Sequence, residues 1–122
     1  MKSLEDALVK KVVELRKEAE AEGLNIPSNA WFNGIGTVRH YLHHMWPTFI
    51  TFSLQEEFMI SFYKDERHLH FYFEGEEGNG SYLKSWGPDI WNDMEDGSID
   101  EMIIPEVDAL FSWLLGEKIS TV

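Results

Sequence analysis

From Ile50 to Phe73 the apolar side chains fall on every second residue. Ile50, Phe52 and Leu54 share one face, then Phe58, Ile60 and Phe62, then Leu69, Phe71 and Phe73. A period of two puts such residues on one side of a pleated strand. The polar interruptions Gln55-Glu56-Glu57 and Lys64-Asp65-Glu66-Arg67 are short enough to be hairpin connections. Gly78-Asn79-Gly80 is a further turn signal, leading into a fourth strand near Ser81–Trp86. The middle of the chain is thereby committed to a four-stranded antiparallel meander with one apolar face that needs cover.

The flanks supply that cover with a different period. Ser3 and Asp6 resemble a capping box, Leu4, Leu8, Val12, Leu15 and Ala19 follow at helical spacing, and Gly23 is the stop, giving a helix at about 3–22. Pro27-Ser28-Asn29 opens a second helix. Its stripe is Trp31, Ile35, Val38, Leu42 and Met45, and Pro47 is its expected terminator. Gly34 and Gly36 weaken it by up to ~1 kcal/mol each relative to Ala, which predicts an irregular first turn. After Gly87-Pro88 a short helix at about 89–95, ending at Gly97, precedes a last helix that starts at Pro105. There Val107, Leu110, Phe111 and Leu114 are buried, and Gly116 ends the helix. Helices segregated from strands make an α+β fold of two N-terminal helices, the meander, and one or two short C-terminal helices.

At 122 residues, with five Trp and eight Phe, the chain suits one domain, 1–122, with an aromatic core. The absence of cysteine removes disulfides, thiol catalysis and thiolate metal sites. Apolar runs fall well short of the ~18 residues that span a bilayer, and the acidic start Met1-Lys2-Ser3-Leu4-Glu5-Asp6 is unlike a signal peptide. The expectation is a cytoplasmic protein without a membrane partner.

The net charge of −12 is lopsided. Residues 1–44 carry six acids and six bases, whereas residues 74–122 carry twelve acids and two bases, Lys84 and Lys118, a balance of −10. Asp89, Asp93, Glu95, Asp96, Asp100, Glu101, Glu106 and Asp108 run without an intervening base. Such a field repels nucleic acid and anionic membranes and steers basic partners inward. A purely solubilising acidic surface accounts for the same numbers. Direct nucleic-acid binding is disfavoured, because Lys10-Lys11 and Arg16-Lys17 are interleaved with or followed by glutamates.

Chemistry-bearing clusters are sparse. His40 and His44 stand at i, i+4, the helical spacing at which two imidazoles share a metal. A third ligand and the His-Glu-x-x-His context are lacking, so a solvated polar face explains the pair better. His68, His70 and Tyr72 share one strand face, with Met59, Ser61 and Tyr63 as the matching row; the face suits either contact or burial under the last helix. Asp96-Gly97-Ser98-Ile99-Asp100 imitates part of an EF-hand loop, but Met94 and Ile103 occupy positions that require oxygen. Neither Gly34-Ile35-Gly36 nor the carboxylate-flanked Gly75–Gly80 stretch makes a phosphate cradle.

These features point to a small acidic binding protein without a cofactor, which inhibits a protein partner by masking a basic, nucleic-acid-handling surface. An immunity protein or antitoxin against a toxic nuclease, or a phage anti-defence inhibitor, has that character. The expected partner-binding residues are Asp89, Trp91, Asp93, Glu95, Asp96, Asp100 and Glu101, with Tyr82 and Trp86 as aromatic anchors. Two alternatives come from other classes. One is a metal-dependent enzyme built on His40 and His44; the other is a structural or adaptor subunit that associates through an exposed sheet face.

Overall fold

The computed structural model of the chain describes residues 3–87, 93–99 and 104–119. Helix α1 spans Leu4–Ala21 and helix α2 Ser28–Val38; the strands are β1 Phe49–Phe52, β2 Phe58–Lys64, β3 Arg67–Glu74, β4 Asn79–Trp86 and β5 Asp93–Ser98; helix α3 spans Ile104–Leu115. The strands form one antiparallel sheet in chain order, β1-β2-β3-β4-β5.

The ends of α1 follow from its sequence. Ser3 Oγ accepts the Asp6 N–H at 3.1 Å. At the other end Gly23 adopts φ +79°, while the Leu24 N–H reaches the Ala19 carbonyl and the Gly23 N–H the Glu20 carbonyl, which closes the helix with a left-handed cap. Helix α2 departs from expectation. It is regular through Gly34 and Gly36 but ends at Val38, and residues 39–41 form a 3-10 turn rather than running on to Pro47. Tyr41 supplies a physical reason for the early end. It is 2% exposed, stacks on Phe111 at 3.9 Å, and its hydroxyl donates to Asp108 Oδ1 at 2.5 Å. Leu42 is buried beside it, so the apolar stripe survives the change of helix type.

The meander is present with a fifth strand added. Asp93–Ser98 is β5, where the sequence suggested the end of a short helix at about 89–95; residues 89–92 of that segment lie outside the described residues. Cross-strand pairing overrides local preference here. Glu95 stands opposite Lys84 and meets its Nζ at 3.2 Å, and Gly97 lets the Tyr82 ring lie close against the backbone. Leu54, expected to extend the first apolar row, sits beyond β1 in the turn and is 76% exposed.

The alternating residues Phe58, Ile60, Phe62, Leu69, Phe71 and Phe73 are all buried. At roughly 1.5–3 kcal/mol per buried side chain of this size, this one face carries much of the hydrophobic stabilisation. Trp31 of α2 packs on Phe58 at 4.7 Å, and Phe111 of α3 packs edge-on to Phe62 at 5.1 Å and stacks with Phe71 at 5.7 Å. Helix α1 adds Leu8, Val12, Leu15 and Ala19 to the same cluster. Asn29 and Asn33, one turn apart on α2, donate their side-chain amides to the Glu76 and Gly78 carbonyls and hold the β3–β4 turn; a Cβ at Gly78 would collide with the Asn29 carbonyl. The last turn of α3 has no basic residue of its own. Lys64 Nζ donates to the Leu115 carbonyl at 3.0 Å, and Arg67 Nη1 donates to the Trp113 carbonyl, so the β2–β3 turn caps the helix.

Candidate partner-binding surfaces

The strand register sorts every sheet side chain onto one of two faces. The helix-bearing face carries the core row and, on β4 and β5, Tyr82, Lys84, Trp86, Asp93 and Glu95. The other face carries Phe49 and Thr51, then Met59, Ser61 and Tyr63, then His68, His70 and Tyr72, then Ser81, Leu83 and Ser85, then Met94, Asp96 and Ser98. Helix α3 joins α1 and α2 on the first face, because Phe111 packs on Phe62 and Phe71. Among the described residues the second face has no helix over it.

This open face is a ladder of rings. Phe49 meets Tyr63 edge-on at 5.3 Å, Tyr63 stacks on His68 at 4.0 Å, and His70 stacks with Tyr72 at 6.2 Å. Ser61 Oγ and His70 Nδ1 share a hydrogen bond of 2.8 Å. Burial, followed by the neighbouring His68, holds the His70 pKa below the usual 6.5. Burial, then the charges of Glu57 and Tyr63, push the Tyr72 hydroxyl above its usual 10.0. Ser61 is only 4% exposed, and the His70 ring is flanked by Tyr63, His68 and Tyr72.

The charges are sided as well. The strand bases Lys64, Arg67 and Lys84 all belong to the helix-bearing face, whereas the charged strand residues of the open face are Glu74 and Asp96. A shallow depression lined by Tyr72, Leu83 and Asp96 lies where the aromatic ladder meets the acidic edge.

Among the described residues, the partner-binding side chains expected from the sequence fall on both faces of the sheet. Asp89, Trp91, Asp100 and Glu101 lie outside the described residues. Asp93 and Glu95 share the helix-bearing face with Tyr82 and Trp86, while Asp96 is on the opposite face, across from Leu83. Glu95 already has internal partners: it accepts from the Tyr82 hydroxyl at 3.1 Å and pairs with Lys84, and these two hydrogen bonds hold its carboxyl below the ordinary range. Burial and that same hydrogen bond to Glu95 raise the Tyr82 pKa. Trp86 meets Trp113 edge-on at 5.8 Å, and Lys84 and Arg67 lie over the Trp113 ring, so this anchor ties β4 to α3.

The helical geometry proposed for His40 and His44 is absent. His40 lies in the 3-10 turn, where Arg39 Nε donates to its Nε2 at 3.3 Å, and His44 lies in the turn that follows, its ring against His43. No group of three or more His, Cys, Asp or Glu side chains suited to a metal occurs among the described residues. No described helix is long and apolar enough to cross a membrane.

What the sequence left open was which sheet face stays bare. A signal for the answer was present in Val107, Leu110, Phe111 and Leu114, which give α3 a single stripe matched to the Phe/Ile row. Comparison with known proteins adds no assignment: no protein family matches the chain, and no curated protein or solved structure matches it.

Proposed function

We propose that this chain is a non-catalytic binding protein that masks a basic surface of a protein partner, with the open sheet face as its docking surface. The reading is carried by the sidedness of the sheet. Among the described residues, the face without helices presents Tyr, Phe, His and Met side chains and no strand Lys or Arg, with Glu74 and Asp96 as its strand carboxylates. Aromatic and methionine side chains with a polar rim are the composition of a protein interface, and carboxylates at that rim favour a basic partner. Nucleic-acid-handling proteins are the natural partners of this kind, and the reading is therefore of an inhibitor in the manner of an immunity protein or an antitoxin against a nuclease. The docking anchors are then Tyr63, Tyr72, Leu83 and Met94 rather than Trp86.

Affinity capture from native lysate, at low and then high salt, tests this with two baits. The wild-type chain is expected to retain a basic protein at low salt and lose much of it at high salt. The Leu83→Arg, Met94→Arg double variant, folded by circular dichroism, is expected to retain none. Equal retention by both baits, or a partner whose binding is indifferent to salt, would overturn the reading.

A further inference from the structure

The two edges of the sheet are built on opposite plans. Strand β5 carries Asp93, Glu95 and Asp96, and charges on an edge strand discourage pairing with further strands. Strand β1 reads Phe49-Ile50-Thr51-Phe52, and no Asp, Glu, Lys or Arg occurs between Arg39 and Glu56. Among the described residues β1 has β2 as its one strand neighbour, so its outer row of backbone N–H and C=O groups faces away from the sheet. Trp46, Phe49 and Leu54, which bracket this edge, are 41%, 52% and 76% exposed. Helix α1, which packs against β1, exposes Val9 and Val13 one turn apart.

We infer that β1 is a homodimerisation edge, pairing antiparallel with β1 of a second copy to make one continuous ten-stranded sheet. Charge distribution selects the second copy over a foreign strand. A basic partner finds no charge at β1 to recruit it, whereas an identical strand meets no like charge there. Pairing through β5 would instead set Asp93, Glu95 and Asp96 against their own copies. Residues 1–44, which contain α1, are neutral, so the flank of β1 is also the part of the molecule that a copy of net charge −12 can approach. A two-fold axis perpendicular to the sheet keeps both sets of helices on one side and joins the two open faces. It also carries the two acidic β5 strands to the far ends, about 43 Å apart at the usual strand spacing.

Sedimentation velocity from about 1 to 300 µM tests the inference on the intact chain. The wild type is expected to pass from monomer to dimer across this range. Thr51 is exposed on β1, so Thr51→Lys and Thr51→Glu should fold normally by circular dichroism. Each variant alone is expected to weaken dimerisation at least tenfold, and an equimolar mixture of the two to restore it, because the two-fold brings residue 51 of one copy close to residue 51 of the other. Leu83→Arg, Met94→Arg is expected to dimerise like the wild type, which separates this edge from the docking face. A wild type that stays monomeric throughout overturns the inference. So does a dimer indifferent to both Thr51 variants, or a mixture that pairs no better than either alone.

Discussion

The Tyr41 hydroxyl donates to Asp108 Oδ1 at 2.5 Å, joining two buried residues 67 positions apart. This contact fixes the turn after α2 to the first half of α3, and the stacking of Tyr41 on Phe111 at 3.9 Å runs alongside it. Tyr41→Phe keeps the ring and removes the donor from a buried carboxyl group. Hydrogen bonds to such groups are worth more than the ~1 kcal/mol of a neutral pair, so the expected loss is about 1–3 kcal/mol. Urea unfolding of the variant measures it, and a change within 0.5 kcal/mol would show the contact to be energetically idle.

Gly34 and Gly36 look equivalent in the sequence, two glycines lowering the propensity of one helix. Their surroundings separate them. A Cβ at Gly34 would stand 2.5 Å from Phe58 Cε2 and 3.2 Å from Phe73 Cδ2, whereas at Gly36 it would meet nothing within 4 Å. Gly36→Ala is therefore expected to stabilise by up to ~1 kcal/mol through helix propensity. Gly34→Ala is expected to destabilise by about 1–3 kcal/mol, because two packed core rings must shift. Thermal melts with opposite signs for the two variants are the expected result.

His70 makes stability depend on pH in a definite direction. Its pKa in the folded chain is lowered from 6.5, first by burial and then by His68, so the unfolded chain binds the proton more readily. The neutral ring with its proton on Nε2 lets Nδ1 accept from Ser61, and protonation forces the hydroxyl to turn. Stability is then greatest above pH 6.5 and falls as the pH drops through that value toward the folded pKa. Tyr63 from β2, His68 and Tyr72 on its own strand, and Leu83 opposite on β4 surround the ring. His70→Gln is expected to reduce the stability difference between pH 7.5 and 5.5 measured in urea. A variant with the wild-type difference would assign that dependence elsewhere.

The sheet was legible because strands of period two with polar breaks admit few other readings. The centres of β2, β3 and β4 follow from Phe58–Phe62, Leu69–Phe73 and the Gly78-Asn79-Gly80 signal. Lys64, Arg67, Asn79 and Gly80, read as connections, belong instead to the strands, because cross-strand pairing runs to the two-residue turn at Asp65-Glu66 and to the turn at 75–78. The C-terminal end of α2 and the existence of β5 were not legible, for a common reason. Tyr41 leaves the helix to reach Asp108, and Glu95 enters a strand to meet Lys84; in each case the partner is remote in sequence. The acidic run was visible, but its division between two faces depends on β5 being a strand. A helix at 89–95 would have grouped those carboxylates differently.

Asp93 and Asp96 make that division testable. They lie three residues apart on β5, yet Asp93 stands opposite Trp86 on the helix-bearing face and Asp96 opposite Leu83 on the open face. If the open face docks a basic partner, reversing the two charges separately has unequal consequences. Asp96→Lys places a cation at the rim of the docking surface and is expected to weaken binding by at least tenfold, mainly through slower association and a shallower salt dependence. Asp93→Lys changes the net charge of the chain by the same amount on the other side of the sheet, and is expected to reduce only the long-range attraction, by less than about threefold at physiological salt. Calorimetry of each variant against the captured partner reads the contrast. Equal losses would mean that the partner responds to overall charge and not to the open face, whereas a larger loss for Asp93→Lys would move the docking surface to the side of Tyr82 and Trp86.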